Sequence, residues 1–334
     1  MIKKIINFLK EYKKDIIISL TPAFILFLLM VIKLDYVVYS PGGLEELTNR
    51  IEVENAYEMQ GSYNLTYVVQ RSGSLFNILC SLIMPDWDME KIDNIVIDGE
   101  DLEEQLKRDK IRLKETSYDA IIAAFKEANI NYEVTKKELV VTFIFEEAKT
   151  NLEIGDTILK VNNQEITSYE EFSSILSNIK LNEKMNILVL RDEKEINCEA
   201  TKTIIENQEL IGITLSELKT IKTTPKVNYI FKENESGGSR GLLCALDIYD
   251  KITKGDLTKG RTIAGTGSID ENGVVGEIAG VKYKIKGAVK KDADIFIVPS
   301  ANYEEAIKIK EEKGYDIQII KADTLSNVIE ELSK

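Results

Sequence analysis

Seventeen consecutive residues, Ile16 to Ile32, carry no charge. At about 1.5 Å per residue a helix of that length reaches roughly 25 Å, near the lower limit for a bilayer core. Leu34 extends the run if the Lys33 ammonium snorkels to the headgroups. The first fourteen residues carry Lys3, Lys4, Lys10, Lys13 and Lys14 against the single acid Glu11, a local sum of +4 in a chain whose net charge is −13. That asymmetry puts the N-terminus in the cytoplasm and everything after the run outside. A cleavable signal peptide is the rival reading. Small-x-small cleavage sites are lacking, and Pro41 follows the nearest candidate, Val38-Tyr-Ser40. The expectation is an uncleaved anchor over residues 1–35 and a cell-membrane protein with a single pass. The acidic remainder argues against nucleic acid as a partner, because phosphate binding needs a basic face.

The chain has no histidine. That excludes Ser-His-Asp and Cys-His catalysis and His-ligated zinc. Cys80, Cys198 and Cys244 are too few for a four-cysteine metal site and odd in number for intrachain disulfides. Cys244 sits among Leu242, Leu243, Ala245 and Leu246 and reads as core. The residues call for neither a metal nor a cofactor.

Length allows two or three domains after the anchor. Residues 36–130 form a juxtamembrane region of mixed pattern in which no chemistry is visible. It holds a turn signal at Ser40-Pro-Gly-Gly43, a strand around Tyr63–Val69 and a helix around Tyr118–Phe125. Residues 131–205 change to short strands and one helix. Gly155-Asp156 turns, Ile158, Leu159 and Val161 form a strand, Asn162-Asn163 turns again, and Ser168 caps a helix with Glu171 at the capping-box position. The stretch Leu152-Glu-Ile-Gly-Asp-Thr-Ile-Leu-Lys-Val-Asn162 resembles the hallmark of PDZ domains, which bind extended peptides by strand addition. The Gly-hydrophobic-Gly-hydrophobic carboxylate loop of that family is missing at the matching place, Leu139-Val-Val-Thr-Phe143.

Residues 206–334 alternate strand and helix signals, an α+β or α/β pattern with mixed βαβ elements. Helices are expected at Leu242–Ile252, Val281–Val289, from about 302 and from Thr324. Strands are expected at Val227–Phe231, Ile295–Val298 and Ile317–Ile320, with a hairpin turn at Asp270-Glu-Asn-Gly273. Two elements here can carry chemistry. The loop Glu235-Ser-Gly-Gly-Ser239-Arg-Gly241 presents Ser239 with little bulk around it, where the helix at Leu242 begins. The free N–H groups of a helix start and its dipole suit an oxyanion; a plain N-cap serine on a Gly-rich turn is the reading the loop alone favours. The second element is Ala279-Gly-Val-Lys282-Tyr-Lys284-Ile-Lys286. Lys282 and Lys284 both border the apolar stripe of Val281, Ile285, Ala288 and Val289, and helical phase does not choose between them. A lysine must fall about three pH units, about 4 kcal/mol, to serve as a base near pH 7.

Together these segments resemble the proteolytic domain of the Lon family of Ser-Lys proteases. Gly237-Gly238-Ser239-Arg240-Gly241 aligns with the nucleophile loop, and Ala279-Gly280-Val281-Lys282-Tyr283-Lys284 aligns with the lysine motif. The resemblance implies Ser239 as nucleophile and Lys284 as its base. It places Thr266, in Ile263-Ala-Gly-Thr266-Gly, near the dyad and backbone N–H groups near Gly238 and Ser239 at the oxyanion. Gly238 stands where the family has proline, and Arg240 where it has alanine; an arginine there can crowd the substrate or add positive charge.

Anchor, PDZ and Lon-type domain in that order resemble membrane-anchored PDZ–Lon-like proteases of Gram-positive bacteria. What the resemblance implies is an ATP-independent serine endopeptidase acting on peptides or proteins outside the cell, with ring assembly left open. The alternative is an impaired protease fold that binds extracellular peptides through its PDZ-like domain. Gly255-Asp-Leu-Thr-Lys-Gly260-Arg261-Thr262 has P-loop spacing, but Arg261 replaces the phosphate-binding lysine and a helix precedes it; no nucleotide is expected.

Overall fold

A computed structural model describes residues 11–97, 100–232 and 235–334. Lys3, Lys4 and Lys10 of the basic start lie outside the described residues. The chain forms two compact units, one of residues up to Pro41 with Val68–Ile95, the other of Gly42–Tyr67 with Val96–Lys334.

In the first unit, helix α1 covers Lys13–Val31. It is long and apolar enough to cross a membrane, with a mean hydropathy of 2.0 and none of it buried in the protein. Its hydroxyls turn back on its own backbone, Ser19 to Asp15 O and Thr21 to Ile17 O, each at 2.7 Å. The strand that follows pairs antiparallel with Asp88–Lys91, Tyr36 opposite Lys91 and Tyr39 opposite Asp88. Helix α2, Leu75–Ile83, starts at Ser74, whose hydroxyl accepts Asn77 N–H.

Two large sheets organise the second unit. In the first, the strands Gln318–Ala322, Ile295–Pro299, Thr262–Gly265 and Ser62–Leu65 run parallel in that order. Such strands are buried on both faces, which explains the unbroken apolar run Ile295-Phe-Ile-Val298. Successive side chains point to opposite faces. Ile263, Ile295 and Ile297 therefore join a core with helices α3 (Leu102–Glu127), α5 (Gly241–Ile252) and α8 (Leu325–Ser333). Ala264, Phe296 and Val298 face the other way, toward α6 (Val281–Val289) and α7 (Tyr303–Lys313). The result is a three-layer α/β/α domain.

Of the stretch that showed no chemistry in the sequence, residues 42–67 and 100–128 are integral to this domain. Leu47, Ile51, Tyr63, Leu65 and Ala120–Phe125 sit in one core with Leu242–Ile248 and Leu332. Ser40–Gly43 is no turn: it lies inside the strand Lys33–Glu46. A Cβ on Gly42 would lie 2.3 Å from Tyr67 O, so this glycine serves a close approach between strands rather than a reversal.

The second sheet is antiparallel, in the order Ile213–Thr223, Tyr132–Ile144, Thr157–Val161, Lys184–Arg191, Lys194–Thr201, Lys149–Thr150. Leu139, Ile158, Val161, Ile187, Val189 and Cys198 pack its core, closed by Phe172 of helix α4 (Tyr169–Asn178). Buried Asp156 of the Gly-Asp turn receives Arg191 through both carboxylate oxygens at 2.6 Å. Asn162 and Asn163 take φ of 47° and 67°, the left-handed turn that asparagine tolerates. The edge strand Ile213–Thr223 and its neighbour Tyr132–Ile144 pair as a long ribbon, with Tyr132 directly opposite Thr223.

Candidate active site and peptide groove

The serine loop is fastened on two sides. Gly237, at φ 87°, donates its N–H to Asp109 O of α3 at 2.9 Å. On the other side Ser239 O accepts Gly267 N–H at 2.9 Å and Thr266 Oγ1 at 3.2 Å, while Leu242 N–H reaches Gly267 O at 3.0 Å. Ser239 itself is half-buried at the entry to α5. Among the described residues its hydroxyl has no hydrogen-bond partner, and the N–H groups of Gly238, Ser239 and Arg240 have no backbone acceptor.

Helix α6 supplies the amine. Gly280 begins it at φ 76°, a conformation that costs other residues a steric penalty, and its carbonyl accepts the N–H groups of Tyr283 and Lys284. Helical phase left Lys282 and Lys284 open; the structure separates them. Lys282 is exposed, its Nζ 4.9 Å from the Tyr283 ring centroid. Lys284 is 5% exposed, and its Nζ donates to Thr266 Oγ1 at 3.0 Å. Burial pushes its pKa down to about 8, because a desolvated ammonium loses hydration that no carboxylate replaces. Thr266, fully buried, thus links the amine of Lys284 to the backbone of Ser239. The Lys284 hydrogen bond runs to Thr266 and not to Ser239 Oγ.

Arg240 does not project as a free charge. Its guanidinium pairs with Glu235 at 3.2 Å and lies 5.5 Å from the Phe231 ring centroid. Glu235 also pairs closely with Arg50, which reaches Glu45 at 3.0 Å. The acid that opens the loop therefore neutralises the arginine that follows the serine.

The sequence showed the helix around Tyr118–Phe125, but not that α3 starts at Leu102 or that it backs the serine loop. Its Asp109 carbonyl anchors Gly237, and Arg112 and Thr116 lie against Gly238. The packing role of Gly241 was missed with it. A Cβ there would lie 2.3 Å from Thr116 Oγ1 and 2.8 Å from Ile269 Cγ2, so the glycine lets α5 cross α3 closely. Gly241→Ala is expected to cost about 1–3 kcal/mol by overpacking, read as a lower denaturation midpoint. The Asp101–Glu104 capping box at the start of α3 is the signal that could have found it. Cys244 is core, as read: it is fully buried, with its thiol pushed up to about 12 by burial.

The antiparallel sheet carries a second site. A cavity of about 540 Å³ lies between α4 and the start of the edge strand Ile213–Thr223, lined by Tyr169, Phe172, Leu176, Ile211, Ile213 and Leu215. At its mouth Leu210-Ile211-Gly212-Ile213 forms a hydrophobic-Gly-hydrophobic turn, with Gly212 at φ 78°. Residues 139–143, where such a loop was sought, are instead part of the strand Tyr132–Ile144.

A three-layer domain presenting a serine loop against a desolvated lysine is the class of site that fold and geometry define. Comparison with known proteins matches two parts of the chain to domain families. Residues 233–334 match the Lon protease (S16) C-terminal proteolytic domain, and residues 129–201 match the PDZ domain. A peroxisomal Lon protease homolog 2 from Caenorhabditis briggsae is 32% identical over 124 residues, 37% of this chain and 15% of its own. The Lon protease of Campylobacter jejuni is 34% identical over 128 residues, 34% of this chain and 15% of its own. The crystal structure of the PDZ domain of an SdrC-like protein from Listeria monocytogenes matches 25% of this chain and 92% of that one, at 23% identity and a TM-score of 0.23. The chain spans 15% of the length of these curated relatives. It carries a PDZ domain and a Lon-type C-terminal proteolytic domain, which supports a serine peptidase.

Proposed function

We propose that the chain is a membrane-anchored serine endopeptidase working through Ser239 and Lys284, on peptides or proteins outside the cell. The observation that carries the reading is the buried, charge-poor seat of Lys284 beside Thr266. An amine with a pKa near 8 is neutral often enough at physiological pH to take a proton. As substrate enters, Ser239 Oγ attacks the scissile carbonyl and Lys284 Nζ accepts the hydroxyl proton. The N–H groups of Gly238, Ser239 and Arg240, without backbone acceptors among the described residues, take the developing oxyanion. Lys284 then returns the proton to the leaving amine, and water deacylates the serine by the same route. Thr266 keeps the lysine aimed at the loop. Arg240, held by Glu235, leaves the hydroxyl uncrowded.

The groove beside α4 supports capture of an extended segment by addition to the edge strand Ile213–Thr223. Anchoring by α1, with the N-terminus cytoplasmic, follows from its length, apolarity and lysine flank.

A serine-directed fluorophosphonate tests the reading. The full chain in detergent should gain one adduct, which peptide mass mapping places on Ser239, and Lys284→Ala should slow labelling by at least about a hundredfold. Labelling at other serines, or an unchanged rate in Lys284→Ala, overturns it.

A further inference from the structure

We propose that α2 is a second membrane element, lying in the interfacial layer of the bilayer next to the end of α1. The inference rests on reading α1 as a membrane span and adds an occupant for a surface that this reading leaves unexplained.

Residues 72–85 carry no charge. The helix within them, nine residues from Leu75 to Ile83, is far too short to cross a bilayer. Leu79, Leu82 and Ile83, spaced i, i+3, i+4, form a stripe on one face. They are 46%, 68% and 78% exposed, and Met84, the C-cap residue that follows, is exposed as well. The hydrogen-bonding side chains of the helix are turned inward on the backbone. Asn77 Nδ2 donates to Ser72 O at 2.9 Å, and Ser81 Oγ donates to Ile78 O at 2.8 Å. Seating this face in lipid therefore strands neither donor.

Position singles out lipid as the occupant. The Leu75 N–H donates to the carbonyl of Ile32, the C-cap residue of α1, at 3.0 Å. Helix α2 thus begins at the level where the apolar run of α1 ends, which is where a bilayer has its interface. Trp87 follows shortly after, with the Arg71 guanidinium 4.5 Å from its ring centroid. Tryptophan favours that depth, and an arginine beside it can reach the headgroups. A short, charge-free helix with one apolar stripe, docked at the exit of a spanning helix, is an interfacial helix.

Trp87 is the only tryptophan in the chain, so its fluorescence reports this region alone. The experiment reconstitutes the full chain in vesicles of phosphatidylcholine and phosphatidylglycerol with acyl chains brominated near the headgroup or near the bilayer centre. Bromines near the headgroup should quench Trp87 at least about twofold more than deep ones. The variant Leu82→Asp/Ile83→Asp should lose that quenching while alkaline extraction still leaves it in the membrane pellet, held by α1. Wild-type Trp87 that stays unquenched in pelleted protein overturns the proposal, whatever the variant does. The same holds if cross-linking shows α2 against α2 of a second copy. Release of the wild-type chain by alkali is a different failure: it removes the spanning reading of α1 itself.

Discussion

Lys284→Met is expected to lower peptide hydrolysis about 10⁴-fold while making the protein more stable at pH 7. The two effects have one cause. Lys284 is almost fully buried among Val281, Ile285 and their neighbours, and its pKa sits at about 8 against an ordinary 10.5. At pH 7 the folded protein therefore pays about 3 kcal/mol to hold that proton. Methionine fills a similar volume without the charge, and loses about 1 kcal/mol with the hydrogen bond to Thr266. The net gain is about 2 kcal/mol at pH 7. Between about pH 8 and 10.5 the unfolded chain binds the proton that the folded one has released, so wild-type stability rises with pH in that window. The advantage of the variant should fade across it and vanish above. Denaturant melts at pH 7 and pH 10.5, beside hydrolysis of an unstructured peptide, check both halves. Ser239→Ala should fall to the same residual rate, and the double variant no lower, because the two groups act as one unit. Activity within tenfold of wild type in either single variant would falsify the dyad.

The pH profile of kcat/KM should show an acid limb with its midpoint near 8. Only neutral Lys284 accepts the serine proton, and at pH 6 it makes up about one part in a hundred of the enzyme, against half at pH 8. The expected rise between those pH values is about fiftyfold, with a limiting slope of one. Asp119, pushed up to about 6 by burial and eased back by Lys219, is a rival group that would place a limb at lower pH. A limb centred near 6 that Asp119→Asn abolishes would assign the ionisation to that carboxylate and sink the role given to Lys284.

Parts of this arrangement were plain in the sequence, where a local pattern had only one structural solution. Val281–Val289 is a helix because its apolar positions repeat at helical spacing behind a glycine, and the strand at Ile295 is unbroken because both its faces are covered. The turn at Asn162-Asn163 and the Ser168 cap follow from side-chain chemistry that acts within a few residues. What escaped depends on partners distant in the chain. Gly42 looked like a turn until Tyr67 came beside it, and Gly241 like a permissive loop residue until Thr116 did. The significance of Glu235 for Arg240 was hidden because a charge pair at i, i+5 has no fixed geometry in a loop. Leu210-Ile211-Gly212-Ile213 escaped because it lies beyond residues 131–205 and returns to the groove only by pairing of its strand with Tyr132–Ile144.

The ribbon in which Tyr132 faces Thr223 bears on how the chain can assemble at all. The two halves of the proteolytic core, residues 47–125 and 242–332, are separated by a long intervening stretch, and closing a free loop of that length carries an entropic penalty. Once the antiparallel sheet has formed, its entry and exit strands stand about 5 Å apart. The halves are then joined as if by a short tether. The antiparallel domain thus acts as a staple for the proteolytic core, and a lesion in the pairing of its entry and exit strands is expected to weaken the seat of Ser239 without touching it.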